Sequence, residues 1–183
     1  VNRSWKGNLL MRAMCMRSNV AIGVSPAVGE YLRSTAKLPE RKVRVINNAV
    51  SSAPAVSDDE IAKQRSNFGF SPDDFIIGSV GRIVNDPKRF SDLILAVKIL
   101  HDNGFKNVKL IIIGDGPDRV NLERLVQECS LNDHVVFAGY HGEARRLYPL
   151  MDVFALASAH EAFGLVLAEA MMAGVPVVAT RVG

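Results

Sequence analysis

Two carboxylates and a glycine share one stretch near the end of the chain: Ser158-Ala-His-Glu-Ala-Phe-Gly-Leu-Val-Leu-Ala-Glu-Ala170. Glu161 and Glu169 stand eight residues apart, with Gly164 between them. The apolar run Val153–Ala157 precedes the stretch, and Met171-Met-Ala-Gly174 leads from it into Val175-Pro-Val-Val-Ala-Thr180. That order predicts strand, short loop, helix and strand. A helix that opens just beyond a parallel strand leaves its first amides unpaired, so Gly164, Leu165 and Val166 would offer N–H groups to an anion such as a diphosphate. Gly164 would also let the backbone approach a ligand closely. Glu169 falls in the second turn, inside an otherwise apolar segment, where a carboxylate needs a partner. A ribose diol is one such partner, and a salt bridge to a helix neighbour is the alternative.

Three further strand-to-loop junctions carry polar residues. In Gly81-Arg-Ile-Val-Asn-Asp-Pro-Lys-Arg-Phe90, Asp86 and Pro87 are expected as N-cap and first helical residue. Lys88 and Arg89 would then sit in the first turn, where the helix dipole disfavours cations by about 0.3–1 kcal/mol. A bound anion would compensate, with Arg82 clamping it from the strand end; Arg89 alone reads as a solvated surface charge. Gly114-Asp-Gly-Pro-Asp118 looks like the start of a dinucleotide fingerprint, but Arg119 stands where a small residue is required. Gly116-Pro117 is explained as a tight turn into a helix, and Asp115 with Asp118 is not a convincing metal pair. At Gly139-Tyr-His-Gly142, Tyr140 and His141 either present a flat surface to a base or are ordinary loop residues. His101 is expected at the surface, His134 at a strand edge, and His160 stands alone. No metal-ligand cluster, Ser/His/Asp order or Cys/His set emerges, so neither a metal nor a covalent triad is expected.

The elements that must position these residues fit one sheet. Short runs rich in Val and Ile occur at Phe75–Val80, Val108–Ile113, His134–Ala138, Val153–Ala157 and Val175–Ala179, as expected of strands buried on both faces. Amphipathic segments lie between them, one carrying Phe90, Leu93, Ile94, Val97 and Leu100, another Leu122, Leu125, Val126 and Cys129. The alternation predicts an α/β, Rossmann-like, doubly wound parallel sheet, which binds ligands beyond the carboxyl ends of its strands.

Upstream, a helix over 5–17 with Trp5, Leu9, Leu10, Ala13 and Met14 on one stripe is expected to pack on another part of the protein or to lie on a membrane surface, flanked by Lys6, Arg12 and Arg17. A strand over 19–24, a helix opened by Ser25-Pro26, and a strand over 42–46 follow. These first fifty residues are too few for their own core and read as the tail of a preceding domain. Ser, Ala and Pro between Ala49 and Val56 mark a linker. The expected organisation is 1–50 as that tail, 51–57 as linker and 58–183 as the Rossmann-like domain. Ser57-Asp-Asp-Glu60 has a capping-box pattern.

Composition narrows the partners. The chain has 183 residues, 48% hydrophobic and 22% charged, with net charge +3. Lys and Arg are scattered and aromatics are only 7%, which argues against nucleic acid; a phosphorylated small molecule or an anionic membrane surface suits the mild basicity. No apolar run reaches membrane-spanning length. Cys15 and Cys129 read as two buried, reduced thiols of a cytosolic protein. The start, Val1-Asn-Arg-Ser, carries no signal peptide and reads as the middle of a longer protein.

Taken in order, Val80-Gly-Arg82 with Lys88, Leu110-Ile-Ile-Ile-Gly-Asp-Gly-Pro117, Val136-Phe-Ala-Gly139, Met151-Asp-Val-Phe154, Ser158 to Ala170 and Gly174-Val-Pro-Val-Val-Ala-Thr180 resemble the retaining glycosyltransferases of family 4. The likeness runs over about residues 20–183 and is densest from 151 onward. Val24-Ser25 and Val45-Ile-Asn-Asn-Ala-Val50 look like the last elements of that family's first domain. The resemblance implies the C-terminal half of a GT-B fold, truncated at Gly183 and lacking most of an acceptor domain, so that the fragment alone is expected to bind donor without turning it over. It implies transfer of a sugar, with retention at the anomeric carbon, from a UDP- or GDP-sugar to a saccharide or lipid-linked acceptor. No metal or cofactor is implied. By this analogy Arg82 and Lys88 hold the diphosphate and stabilise the leaving group, and Glu161 with the Phe163–Leu165 backbone sits beside the donor sugar. Glu169 takes the ribose hydroxyls. Gly81, Gly114, Tyr140, His141, Phe163, Gly164, Leu165 and Glu169 form the expected donor-binding set. Three residues depart from the pattern: Ala162, Ala49 and Arg89 stand where glycine is common. The family often builds bacterial polysaccharides and glycolipids, which implies a cytoplasmic enzyme, with peripheral contact at the inner membrane face plausible. The competing readings are a non-catalytic nucleotide-binding module and another GT-B enzyme such as a nucleotide-sugar epimerase.

Overall fold

The computed structural model describes residues 5–51 and 55–182. The middle of the predicted linker (52–54), the opening Val1-Asn-Arg-Ser, Gly183, and the side chains of Trp5, Lys6, Asn8 and Met11 lie outside the described residues. The chain divides into two compact units, one running to Ala49 and including His160–Leu165 and Val182, the other Val50–Ala159 with Val166–Arg181.

In the first unit, α1 (Trp5–Arg17) precedes β1 (Ala21–Gly23), α2 (Pro26–Ser34), a 3-10 turn at Glu40–Lys42 and β2 (Val43–Val45). Ser25 caps α2 as its sequence predicts: its hydroxyl accepts the Val28 amide at 3.3 Å, and Pro26 follows where a missing N–H costs nothing. β1 and β2 pair in parallel, with Ala21 opposite Val43. Leu32, Ala36, Leu38 and Val43 form a small core, while Leu9, Leu10 and Met14 of α1 stay exposed.

The second unit begins with α3 (Asp58–Asn67) and β3 (Phe75–Val80), and continues through a single turn α4 (Asn85–Lys88), α5 (Phe90–Asp102), β4 (Val108–Ile113), α6 (Arg119–Glu128) and β5 (Val135–Gly139). A 3-10 segment (Ala144–Leu150), β6 (Val153–Leu156), α7 (Leu165–Met172) and β7 (Val177–Ala179) complete it. The five strands are all parallel, in the order β5-β4-β3-β6-β7. β3 is central, and the chain switches direction across the sheet between β5 and β6, so the carboxyl ends of β3 and β6 flank the switch point where such sheets bind ligands. Side-chain alternation along β4 explains its apolar run Leu110–Ile113. Leu110 and Ile112 face a core shared with α5 and α6, whereas Ile111 and Ile113 face the core that holds Leu147, Tyr148 and Phe154.

Ser57 accepts the Glu60 amide at 3.3 Å, but the Glu60 carboxylate turns to Arg146 at 2.8 Å instead of closing a capping box. Arg65 of α3 ties that helix to the sheet, donating to Asp152 Oδ2 at 2.6 Å and to the Leu150 carbonyl at 3.1 Å; the same Asp152 oxygen accepts the Ile76 amide. Two expectations are corrected. His101 is 5% exposed rather than superficial, because its Nε2 bonds the Val108 carbonyl at 2.9 Å and its ring meets His134 edge-on. Cys15 and Cys129 are free thiols, but half-buried rather than buried.

At the carboxyl ends of β3 and β4 the backbones nearly touch. A Cβ on Gly114, whose φ is +137°, would lie 1.9 Å from the Gly81 carbonyl oxygen, and one on Gly116 would lie 2.2 Å from that of Ile83. Gly142 has open space around it. Gly114→Ala should therefore cost about 2–4 kcal/mol and Gly142→Ala less than about 0.5 kcal/mol in urea unfolding.

Candidate functional site

The loops leaving β3, β4 and β5 converge on one cavity of about 420 Å³ in the second unit. Gly81, Arg82, Gly114, Asp115, Tyr140 and His141 line it, over a floor of Val80, Ile113 and Ala144. Its walls are backbone as much as side chain. The Gly81 amide donates to Ile113, the Ile83 amide to Asp115 and the Gly114 amide to Gly139, each at 2.8–2.9 Å. Only glycine at 114 permits that approach. Arg82 and Tyr140 are exposed, Tyr140 by 82%. The His141 ring is fixed by Nε2 on the Ala138 carbonyl at 3.1 Å and by an edge contact with Phe68. A cation, free-standing aromatic surface and glycine backbone in one cleft can hold a phosphate and a flat heterocycle.

Asp115 is a lining residue that the sequence did not single out for binding. Its carboxylate accepts the Gly116 amide at 2.7 Å and faces Arg119 at 3.4 Å. Arg119 also pairs with Glu123 and lies over the Phe137 ring. The residue that breaks the dinucleotide fingerprint thus braces the loop beside the cavity.

Lys88 is not among the residues lining this cavity. It is half-buried in α4, and the expected helix start there is corrected. Asp86 has extended dihedrals (φ −109°, ψ 113°), Arg89 is left-handed (φ 53°, ψ 43°), and the long helix begins only at Phe90. Lys88 and Arg89 precede its first turn, with Arg89 in the N-cap position. The cap comes instead from Asn85, whose Oδ1 accepts the Ser91 amide at 3.0 Å while its own amide donates to Asp118. The Ala159 amide donates to the Pro87 carbonyl at 2.8 Å, which ties this turn to the loop after β6.

The remaining candidates fall elsewhere. Glu161 and Phe163 belong to the first unit and share a cavity of about 330 Å³ with Ser25, Pro26, Ala27, Ala162 and Val182. Gly164, buried and at φ +79°, makes the turn into α7, with Leu165 next. Glu169 is half-buried in the second unit, and it has a partner the sequence did not suggest: the Tyr148 hydroxyl donates to its Oε2 at 2.9 Å. Burial first, and that bond second, push the phenol's pKa far up, so Tyr148 is a neutral donor. Among the described residues no group of three or more His, Cys, Asp or Glu could hold a metal ion, and no helix is long and apolar enough to cross a membrane.

Residues 60–183 match the family model described as glycosyl transferases group 1. The lipopolysaccharide core biosynthesis glycosyltransferase LpsE of Rhizobium meliloti is 34% identical over 142 residues, covering 78% of this chain and 38% of that protein. An uncharacterized glycosyltransferase of Methanocaldococcus jannaschii, MJ1607, is 37% identical over 168 residues, covering 88% of this chain and 42% of its own. Among solved structures, Anabaena HepE in complex with UDP-glucose superposes with a TM-score of 0.88 at 26% identity, over 99% of this chain and 50% of that one. The chain thus spans half or less of the length of these relatives.

Arg89 occupies its left-handed conformation, and its side chain forms a half-exposed ion pair with Asp92 at 3.2 Å, which contributes little. Because that conformation costs a non-glycine residue about 1 kcal/mol, Arg89→Gly should hold or raise stability by up to about 1 kcal/mol in thermal unfolding. A loss of similar size would show that the arginine side chain carries structure.

Proposed function

The chain belongs to the glycosyl transferases group 1 and has the Rossmann-like sheet of a GT-B fold, and from that premise we propose that it carries the donor side of a retaining, family 4 sugar transferase. Residues 58–183 bind a nucleoside diphosphate sugar, residues 1–50 are the end of the acceptor-side domain, and 51–57 link them. The acceptor is a saccharide or lipid-linked saccharide in polysaccharide or glycolipid synthesis, and we place the activity in the cytoplasm or at the inner face of the membrane. The observation that carries the reading is the convergence of Gly81, Arg82, Gly114, Tyr140 and His141 on one cavity at the carboxyl edge of the sheet. The HepE structures with UDP, and with UDP-glucose, make uridine the first donor nucleotide to test.

In this reading Tyr140 and His141 flank the base, Glu169 accepts from the ribose hydroxyls, and Arg82 with Lys88 balances the diphosphate without a metal. Glu161 and the Phe163–Leu165 backbone meet the sugar. When the bond from the anomeric carbon to the diphosphate breaks, its electron pair stays on the departing oxygen. Fixed cations and amides stabilise that charge more in the transition state than in the ground state.

Calorimetric titration with UDP, GDP, ADP and NAD tests the assignment: UDP or GDP should bind and NAD should not. Glu169→Ala should weaken the bound nucleotide about tenfold or more, because hydrogen bonds to a charged group are lost, and Arg89→Ala less than about threefold. Equal losses at both positions would contradict the roles. In an acceptor-coupled assay of the complete enzyme, Lys88→Ala should lower kcat by about a hundredfold while changing donor KM little. A pure KM effect would make Lys88 a binding residue only.

A further inference from the structure

Tyr148 lies in the 3-10 segment between β5 and β6, and its hydroxyl ends on Glu169. The ring is wholly buried. It packs against Phe154 with centroids 5.6 Å apart, inside the core that also holds Ile76, Leu150 and Met151. A phenol so enclosed cannot swing, and burial together with the carboxylate keeps it protonated. Its O–H therefore points at one place, Oε2 of Glu169, at 2.9 Å.

We propose that Tyr148 is a positioning residue that sets Glu169 to accept a vicinal diol, and so makes the site selective for ribonucleotides over 2′-deoxyribonucleotides. This rests on the reading of Glu169 as the ribose partner. An ionised carboxylate has about four acceptor positions over two oxygens. Tyr148 takes one of them and leaves the others, including both on Oε1, for two neighbouring hydroxyls. A glutamate side chain otherwise turns about three bonds, and binding would have to stop that motion. Here the core stops it beforehand, so the diol meets an oriented acceptor. Loss of either hydroxyl of the ligand then leaves one fixed lone pair without its donor, and discrimination follows.

The test is calorimetry on the full chain with UDP and 2′-deoxy-UDP, and with GDP and 2′-deoxy-GDP. Wild type should favour the ribo form by about tenfold. Tyr148→Phe keeps the ring and its packing; it should weaken UDP or GDP severalfold and shrink the preference below about threefold. The ratio compares two ligands on one protein, so a reduced folded fraction cancels from it. Glu169→Ala should remove the preference altogether. A wild-type preference that survives Glu169→Ala, a wild type with no preference, or no nucleotide binding at all overturns the ribose reading and this inference with it. A preference lost in Glu169→Ala but unchanged in Tyr148→Phe overturns the positioning role alone.

Discussion

The carboxyl edge of the sheet depends on two backbones passing closer than any side chain allows. Gly114 follows β4 with its α-carbon against the Gly81 carbonyl, and Gly116 passes the Ile83 carbonyl in the same way. Because these positions carry no Cβ, the loops after β3 and β4 run side by side and exchange backbone hydrogen bonds, and the Gly114 amide reaches Gly139 at the end of β5. Three strand ends are thereby locked into one wall. Widening that contact by a methyl group would separate Arg82 from Tyr140 and His141, and the cavity they share would lose its shape.

Around that wall, side chains spend their hydrogen bonds on holding loops. Asp118 accepts the Asn85 amide and Asn85 accepts the Ser91 amide, so the entry to α6 fixes the turn that carries Lys88. Asp115 and Arg119 brace the next loop. Arg65 and Asp152 join α3 to β6. Tyr148 and Glu169 join the 3-10 segment to α7. In the proposed donor reading, His141, Glu169 and the turn that carries Lys88 are supported from behind, which is how a site limits the ordering that binding must otherwise impose.

Local signals in the sequence carried most of the fold. The strands at Phe75–Val80 and Val108–Ile113 match their Val- and Ile-rich runs residue for residue, and Ser25-Pro26 and Ser57 open helices where their chemistry says they should. What failed depended on partners outside the local helical or strand period. Asp86-Pro87 resembles a helix start, but the amide to be capped belongs to Ser91 and the acceptor is Asn85. The resemblance marked Arg89 as a departure from glycine, and its positive φ gives that mark a physical meaning. His101 looked superficial because its acceptor, the Val108 carbonyl, lies across a turn. Tyr148 carried no signal at all: its 3-10 segment contains Pro149 and follows no helical period, and its target is 21 residues away. The twin glycines in Gly114-Asp-Gly116 announced a turn but not the neighbouring strand that requires it.

Backbone amide chemical shifts, recorded with and without UDP, address the central claim that the carboxyl edge of the sheet is the nucleotide site. The account predicts shifts at Gly81, Arg82, Gly114, Tyr140, His141 and Glu169, with little change elsewhere in the sheet. Shifts confined to the separate cavity of about 360 Å³ along α3, lined by Asp58, Ile61, Arg65 and Phe70, would contradict it.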